Sequence, residues 1–149
     1  MKVIVQRVKT ASVTCNGKVF SKIDQGFLLF VGLKQGDTFE EVNYVARKVA
    51  KLRIFSDEND KMNLDINDVS GKILSISQFT LYGDTNKSNR PSFTTAMNYK
   101  EADLLYNKFN QILRNDYNIE VLTGVFGEHM DVALINDGPV TITIEKNNS

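Results

Sequence analysis

Apolar and polar positions along this chain form three kinds of pattern, and each predicts a different element. "KVIVQRV" near the start is rich in β-branched residues and reads as a strand. "ASVTC-NG-KVFSKI" places Asn16-Gly17 between two alternating runs, the strongest short-range signal for a two-residue hairpin. Such a loop predicts that Val13 faces Phe20 as a cross-strand apolar pair. "GFLLFVGL", residues 26 to 33, is continuously apolar and predicts a strand buried on both faces.

The pattern then changes period. In "DTFEEVNYVARKVAKL", Phe39, Val42, Val45, Ala46, Val49 and Leu52 recur three or four residues apart, the stripe of an amphipathic helix. Thr38 with Glu41 fits a capping box at its start. "RIF" suggests a short strand, "SDENDK" a turn and "GKILSISQFTLY" a strong strand. A polar loop, "GDTNKSNRPS", carries Lys87, Arg90 and Pro91. A second helix is expected over roughly 99 to 114, with Ala102, Leu105, Phe109 and Ile112 along one side. Three strands follow, "IEVLTGVF", "HMDVALI" and "VTITIE", and "EKNNS" reads as a frayed tail. The expectation is one α/β domain over residues 1 to 149, with a mainly antiparallel, barrel-like sheet and two helices.

Between the last two strands lies "NDGP". Asp137-Gly138 is a favoured pair for a tight hairpin turn, but the residue that would close the turn is Pro139, which has no N–H to donate. Gly138 tolerates positive φ, and Gly138–Pro139 is one of two bonds in the chain where a cis peptide costs little. On residue chemistry alone, a bulge or sheet crossing is the plainer reading and a binding device the other.

Composition narrows the function classes. With 42% apolar and 24% charged residues the chain has the makeup of a globular protein able to build its own core. Eighteen basic and eighteen acidic residues argue against a protein that coats nucleic acid by charge alone, though not against a local basic patch. The single Cys15 excludes an internal disulfide framework. Gln6 and Arg7 interrupt the first apolar run too early for a signal peptide, and no stretch reaches the length of a membrane span, so a cytoplasmic protein with no membrane partner is expected. No cofactor is expected: one His and one Cys cannot make a zinc set, "DENDK" lacks the glycine of an EF-hand loop, and no P-loop or dinucleotide glycine pattern is present.

"SQFTL" (Ser77 to Leu81) and "NDGPVT" (Asn136 to Thr141) together resemble the signature of the D-aminoacyl-tRNA deacylases. "QRV" at 6 to 8, "NRP" at 89 to 91 and "TGVFGEHM" at 123 to 130 agree with that family too, so the resemblance runs almost end to end. A sister group begins its first motif with Pro-Gln, so Ser77 favours the D-amino-acid branch. His129 departs from the family pattern, where a small or acidic residue is expected.

The resemblance implies a homodimeric hydrolase that cleaves the ester joining a D-amino acid, or glycine, to the 3′ end of tRNA. It implies catalytic positions at Ser77, Gln78, Phe79 and Thr80, and substrate-binding positions at Arg7, Phe126, Met130, Asn136, Gly138 and Pro139. Gly138-Pro139 would be cis and reach into the partner's site, where its carbonyls take the space of an L side chain, with Arg7 pinning it. The 2′-hydroxyl of the terminal adenosine would help activate water.

The residues themselves leave rivals. Cys15, Ser77 and Thr80 are the nucleophile candidates and His129 the base candidate, but a lone histidine and an unpartnered cysteine are more often inert. On a regular strand Ser77 and Phe79 would face one way and Gln78 and Thr80 the other, so a site using all four needs the strand to end there, and Gly83 permits that. The Phe79 and Thr80 N–H groups could then form an oxyanion hole; otherwise this is a core strand with incidental hydroxyls. Phe79 and Phe126 suit base stacking or core equally. Lys87 and Arg90 suit acceptor-stem phosphates or a solvated loop. Lys48 and Lys51 read as a solvated helix face. A Ser/Thr esterase predicts that Ser77→Ala or Thr80→Ala abolishes hydrolysis, whereas substrate assistance predicts a larger loss on removing the 2′-hydroxyl. A nucleic-acid-binding module without turnover is the rival from another class; a DNA partner is not expected, because "TITIEKNNS" supplies no basic tail.

Overall fold

The computed structural model describes residues 1 to 148. Its elements run β1 (Lys2–Cys15), β2 (Lys18–Ile23), β3 (Gly26–Gly32), α1 (Phe39–Lys51), β4 (Phe55–Ser56), β5 (Met62–Leu64), β6 (Lys72–Ser77), a 3₁₀ turn (Phe79–Tyr82), α2 (Tyr99–Asn115), β7 (Val121–Thr123) and β8 (Asp131–Glu145). β1 is the spine. One edge pairs with β8 along nearly its whole length, and the other pairs first with β3 and then with β2.

The sheet is mixed rather than mainly antiparallel. β3, β6 and β7 run parallel to one another. Parallel neighbours need crossover connections, and α1 and α2 supply them. β2 bends back until Ser21 Oγ donates to the Thr123 carbonyl at the end of β7, which nearly closes the sheet into a barrel.

Two apolar clusters fill the two faces. Phe27, Leu29 and Val31 of β3 pack with Val42, Val45 and Val49 of α1 and Phe109 and Leu113 of α2. Leu28 points the other way, into the barrel with Leu74 and Ile76. The unbroken apolar run is thus buried on both faces, as its pattern predicts. Each fully buried valine of α1 contributes about 1.5–3 kcal/mol through the surface it removes from water. Thr38 and Glu41 form the predicted capping box. Burial alone would raise the Glu41 carboxyl, but the hydrogen bonds from the Thr38 hydroxyl and N–H outweigh it and hold it below its ordinary value. Phe39 does not join the stripe. As the first helical residue it is half exposed, in a groove shared with Leu104 of α2.

β1 serves both clusters by changing face. Val3 and Val5 face the helices, whereas Ala11 and Val13, also odd-numbered, face the barrel. A strand can do this only with an extra residue, and the register indeed slips between Val8 and Thr10 around the exposed Lys9.

Several sequence expectations are corrected. The hairpin turn forms, with Asn16 and Gly17 both at positive φ. A bulge, however, pairs Val13 with Ser21 and Thr14 with Val19, leaving Phe20 without the partner expected for it and 56% exposed. "RIF" gives β4 at Phe55–Ser56, and the turn after it leads into a partner strand, β5. Asp57 turns inward to accept from the Lys61 and Asn59 N–H groups, with the Lys61 bond the main cause of its lowered carboxyl pKa. "IEVLTGVF" keeps only three residues in the sheet, since Gly124 breaks away. "HMDVALI" and "VTITIE" are one strand, β8, not two. The tail is tied down as far as described: Lys146 N–H donates to the Met1 carbonyl, and Asn148 Nδ2 to that of Gly36. Ser149 lies outside the described residues.

Candidate active site

In open α/β sheets, ligands bind beyond the carboxyl ends of parallel strands. This chain has a cavity of about 670 Å³ at that position, beyond the ends of β3 and β6. Its walls include Ser77, Gln78, Phe79 and Thr80 on one side and Phe126 and Met130 on the other. The structure brings these six residues, expected at the site from the sequence, together around one cavity.

The way "SQFTL" does this differs from a strand. Gln78 N–H still donates to the Val31 carbonyl, but the chain then tightens into the 3₁₀ turn, closed by Leu81 N–H to Gln78 O and Gly83 N–H to Thr80 O. The first N–H groups of such a turn have no partner within it. Accordingly, among the described residues the Phe79 and Thr80 N–H groups donate to no protein acceptor. Gln78 Nε2 donates to Thr80 Oγ1 at 3.0 Å. Phe79 is 56% exposed, with its ring edge-on to Phe93 at 5.1 Å.

The opposite wall follows β7. Phe126 sits between Tyr99, edge-on at 4.8 Å, and Tyr106 at 5.7 Å. Gly124 lies so close to the Met130 sulfur that any side chain there would displace it. Gly127, at positive φ, gives way to the Tyr99 ring in the same manner. Sequence reasoning missed Tyr99, Gly124 and Gly127; the two glycines in "TGVFGEHM" were the available signal.

Neither side-chain dyad forms. His129 is on the rim, 93% exposed, with Nε2 3.6 Å from Asp131 Oδ1. Cys15 is half-buried at the hairpin, outside the cavity lining.

The other four predicted residues meet elsewhere. Two steps along β1, from Gln6 to Val8, match five steps along β8, from Thr141 back to Asn136. Three residues, Asp137 to Pro139, therefore stand out of the ladder. The Gly138–Pro139 peptide is cis, Gly138 has φ +130°, and both residues are exposed. Two side chains replace the missing rungs. Asn136 Oδ1 accepts from Val140 N–H and its Nδ2 donates to Thr141 Oγ1. Arg7, almost wholly buried, donates through Nε to the Asp137 carbonyl at 3.0 Å and through a terminal nitrogen to the Ile54 carbonyl at 2.6 Å. None of Arg7, Asn136, Gly138 and Pro139 lines the cavity of their own chain.

A small mixed α/β barrel with a cavity at the carboxyl ends of its parallel strands and partner-free backbone N–H groups at its mouth is an arrangement suited to holding an oxyanion. Comparison with known proteins gives the family. Residues 4–145 match the family described as D-Tyr-tRNA(Tyr) deacylase, and the chain belongs to it. Among its relatives, the D-aminoacyl-tRNA deacylase of Exiguobacterium sibiricum is 57% identical over 146 residues, 98% of this chain and 100% of the relative. That of Staphylococcus haemolyticus is 53% identical over 145 residues, 97% and 95% of the two chains. The solved structure of a c-Myc DNA Unwinding Element Binding Protein superposes with a TM-score of 0.94 at 40% identity, over 99% of this chain and 100% of the other. A probable eukaryotic D-amino acid tRNA deacylase superposes with a TM-score of 0.83, over 96% and 97% of the chains; at 14% identity this is a likeness of fold. Among the described residues, no helix is long and apolar enough to cross a membrane.

Proposed function

We propose that this chain is a D-aminoacyl-tRNA deacylase that proofreads translation in the cytoplasm, hydrolysing the esters of D-amino acids, and of mischarged glycine, at the 3′ end of tRNA. The observation that carries this is the pair of partner-free N–H groups on Phe79 and Thr80 at the mouth of the cavity. They suit the oxyanion that forms when water attacks an ester carbonyl, and one such donor is worth roughly 2.7–4 kcal/mol of transition-state stabilisation.

Water is activated with help from the substrate's own 2′-hydroxyl, a role consistent with Thr80 Oγ1 being held by Gln78 rather than by a base. Thr80 and Ser77 position, and Phe79 and Phe126 flank the adenosine. Met130 closes the wall behind the amino acid. Lys87 and Arg90 meet the acceptor-stem phosphates.

Chiral selection comes from a second copy of the chain. Gly138 and Pro139 are exposed and absent from their own cavity, while Arg7 and Asn136 hold them rigidly, a combination that suits insertion into a partner's site in a homodimer. Their carbonyls then fill the space an L side chain needs.

Paired hydrolysis of D-tyrosyl-tRNA and L-tyrosyl-tRNA by one preparation tests both parts. Rapid loss of the D ester with the L ester spared is expected. Equal loss of both leaves an esterase without a filter, and a monomer with full selectivity refutes the filter in trans. Cleavage of neither ester brings forward a binding module without turnover, a reading favoured by the likeness to the c-Myc DNA Unwinding Element Binding Protein at 40% identity.

A further inference from the structure

Tyr106 belongs to neither sequence motif. It lies on α2, 4% exposed, and its hydroxyl donates to the Ser75 carbonyl at 2.7 Å. Ser75 pairs with Leu29 of β3 on one side and with Thr123, the last residue of β7, on the other. From Gly124 onward the chain leaves β6 and turns toward Phe126 and Met130. The sheet opens at that rung, and the cavity lies beyond it. Two residues later along β6 comes Ser77, followed by the 3₁₀ turn with its partner-free N–H groups.

The same side chain meets the other wall. Its ring lies 5.7 Å from that of Phe126, tilted by 42°, and Phe126 is closed in on its other side by Tyr99. Burial raises the Tyr106 pKa, so the hydroxyl stays a donor through the working pH range.

We propose that Tyr106 is a positioning residue for the ester site, its hydroxyl fixing the height of the Ser77–Thr80 segment and its ring fixing the tilt of Phe126. The proposal rests on the deacylase reading and adds to it the residue that ties the two walls together. Its weight comes from geometry: a displacement of about 1 Å at a reacting centre can cost on the order of a hundred-fold in rate.

Tyr106→Phe in the full chain removes one oxygen and keeps the ring. With D-tyrosyl-tRNA, well below the melting midpoint, kcat is expected to fall about ten-fold while KM stays within about two-fold, a loss set within the range for a misplaced reacting group. The amide resonances of Phe79 and Thr80 are expected to shift. A merely structural role would lower the melting midpoint and leave kcat and those two amides unchanged, which overturns the proposal. Phe126→Leu keeps the hydroxyl bond and reads the other arm should Tyr106→Phe fail to fold. It is expected to raise KM about five-fold, on the scale of 1 kcal/mol of lost packing, and an unchanged KM overturns the role of the ring. If the parent chain hydrolyses no D ester, the functional reading fails. The amide shifts then still judge the positioning by themselves.

Discussion

The carboxyl end of β6 and the bulge of β8 are two places where the ladder is abandoned, and they abandon it in opposite ways. At Ser77 the strand stops, the chain tightens into a 3₁₀ turn, and two backbone donors are left without protein partners beside a cavity. At Asp137 to Pro139 the strand continues on both sides, the excess residues stand outward, and the groups around them are tied down by Arg7 and Asn136. One region is concave with unused hydrogen-bonding capacity; the other is convex and held stiff. Within one chain the two do not meet, as the proposed insertion of the one into a partner's site requires.

The sharpest way to break this comparison is at Gly138. A Cβ there would sit 2.8 Å from Val140 Cγ2 and 3.2 Å from an Arg7 guanidinium nitrogen, at φ +130°, a region other residues rarely adopt. Gly138→Ala is expected to lower the preference for D over L esters about a hundred-fold, or about 2.7 kcal/mol, while the D rate falls less than ten-fold. Intact selectivity in the paired assay would separate the bulge from the filter.

Arg7→Lys comes next. A single ammonium cannot reproduce the guanidinium fork that reaches Asp137 and Ile54 together. Selectivity is expected to drop about ten-fold, and stability by about 1.5–3 kcal/mol for the charged hydrogen bonds weakened. Denaturant melts together with the paired assay check it, and a stability loss with no change in selectivity would leave Arg7 only a structural part.

Glu41→Ala probes a region belonging to neither half. Loss of the capping box is expected to cost about 1 kcal/mol at neutral pH without altering selectivity. The Glu41 carboxyl is lowered in the folded state, so its contribution is complete above about pH 4.5 and disappears as pH falls through the lowered value. Melts of parent and variant should therefore converge in acid; a gap that persists there would mean the helix start loses something other than the carboxylate.

The parts legible in the sequence were those fixed locally. The stripe of α1, its capping box, the two-sided run of β3 and the Asn16-Gly17 turn all depend on residues within a few positions of one another. What escaped depended on distant neighbours. The period of β6 gives no hint that it lies parallel to β3, because parallel pairing is set by where the helices return the chain. Phe20 was misplaced by a bulge that no residue type announces. "HMDVALI" and "VTITIE" read as two strands because Gly and Pro stand between them, yet Asn136 and Arg7 supply the bonds that keep the strand whole. At the site, the motifs marked the right backbone, while Tyr99 and Tyr106 were hidden in the ordinary apolar spacing of α2.

The change of face in β1 has a last consequence. Lys9 is itself the extra residue, so removing it would leave Val8 and Thr10 as consecutive rungs opposite Asn136 and Ile135, with Ala11 and Val13 still toward the barrel. Removing a residue from a regular run beside it would instead turn one part of the strand over. β8 changes face at the same level, where Asp137 to Pro139 stand out of its ladder. The regular runs on either side of Lys9 can drift in their letters but hardly in their length: within them, a one-residue deletion is a heavier injury than most substitutions.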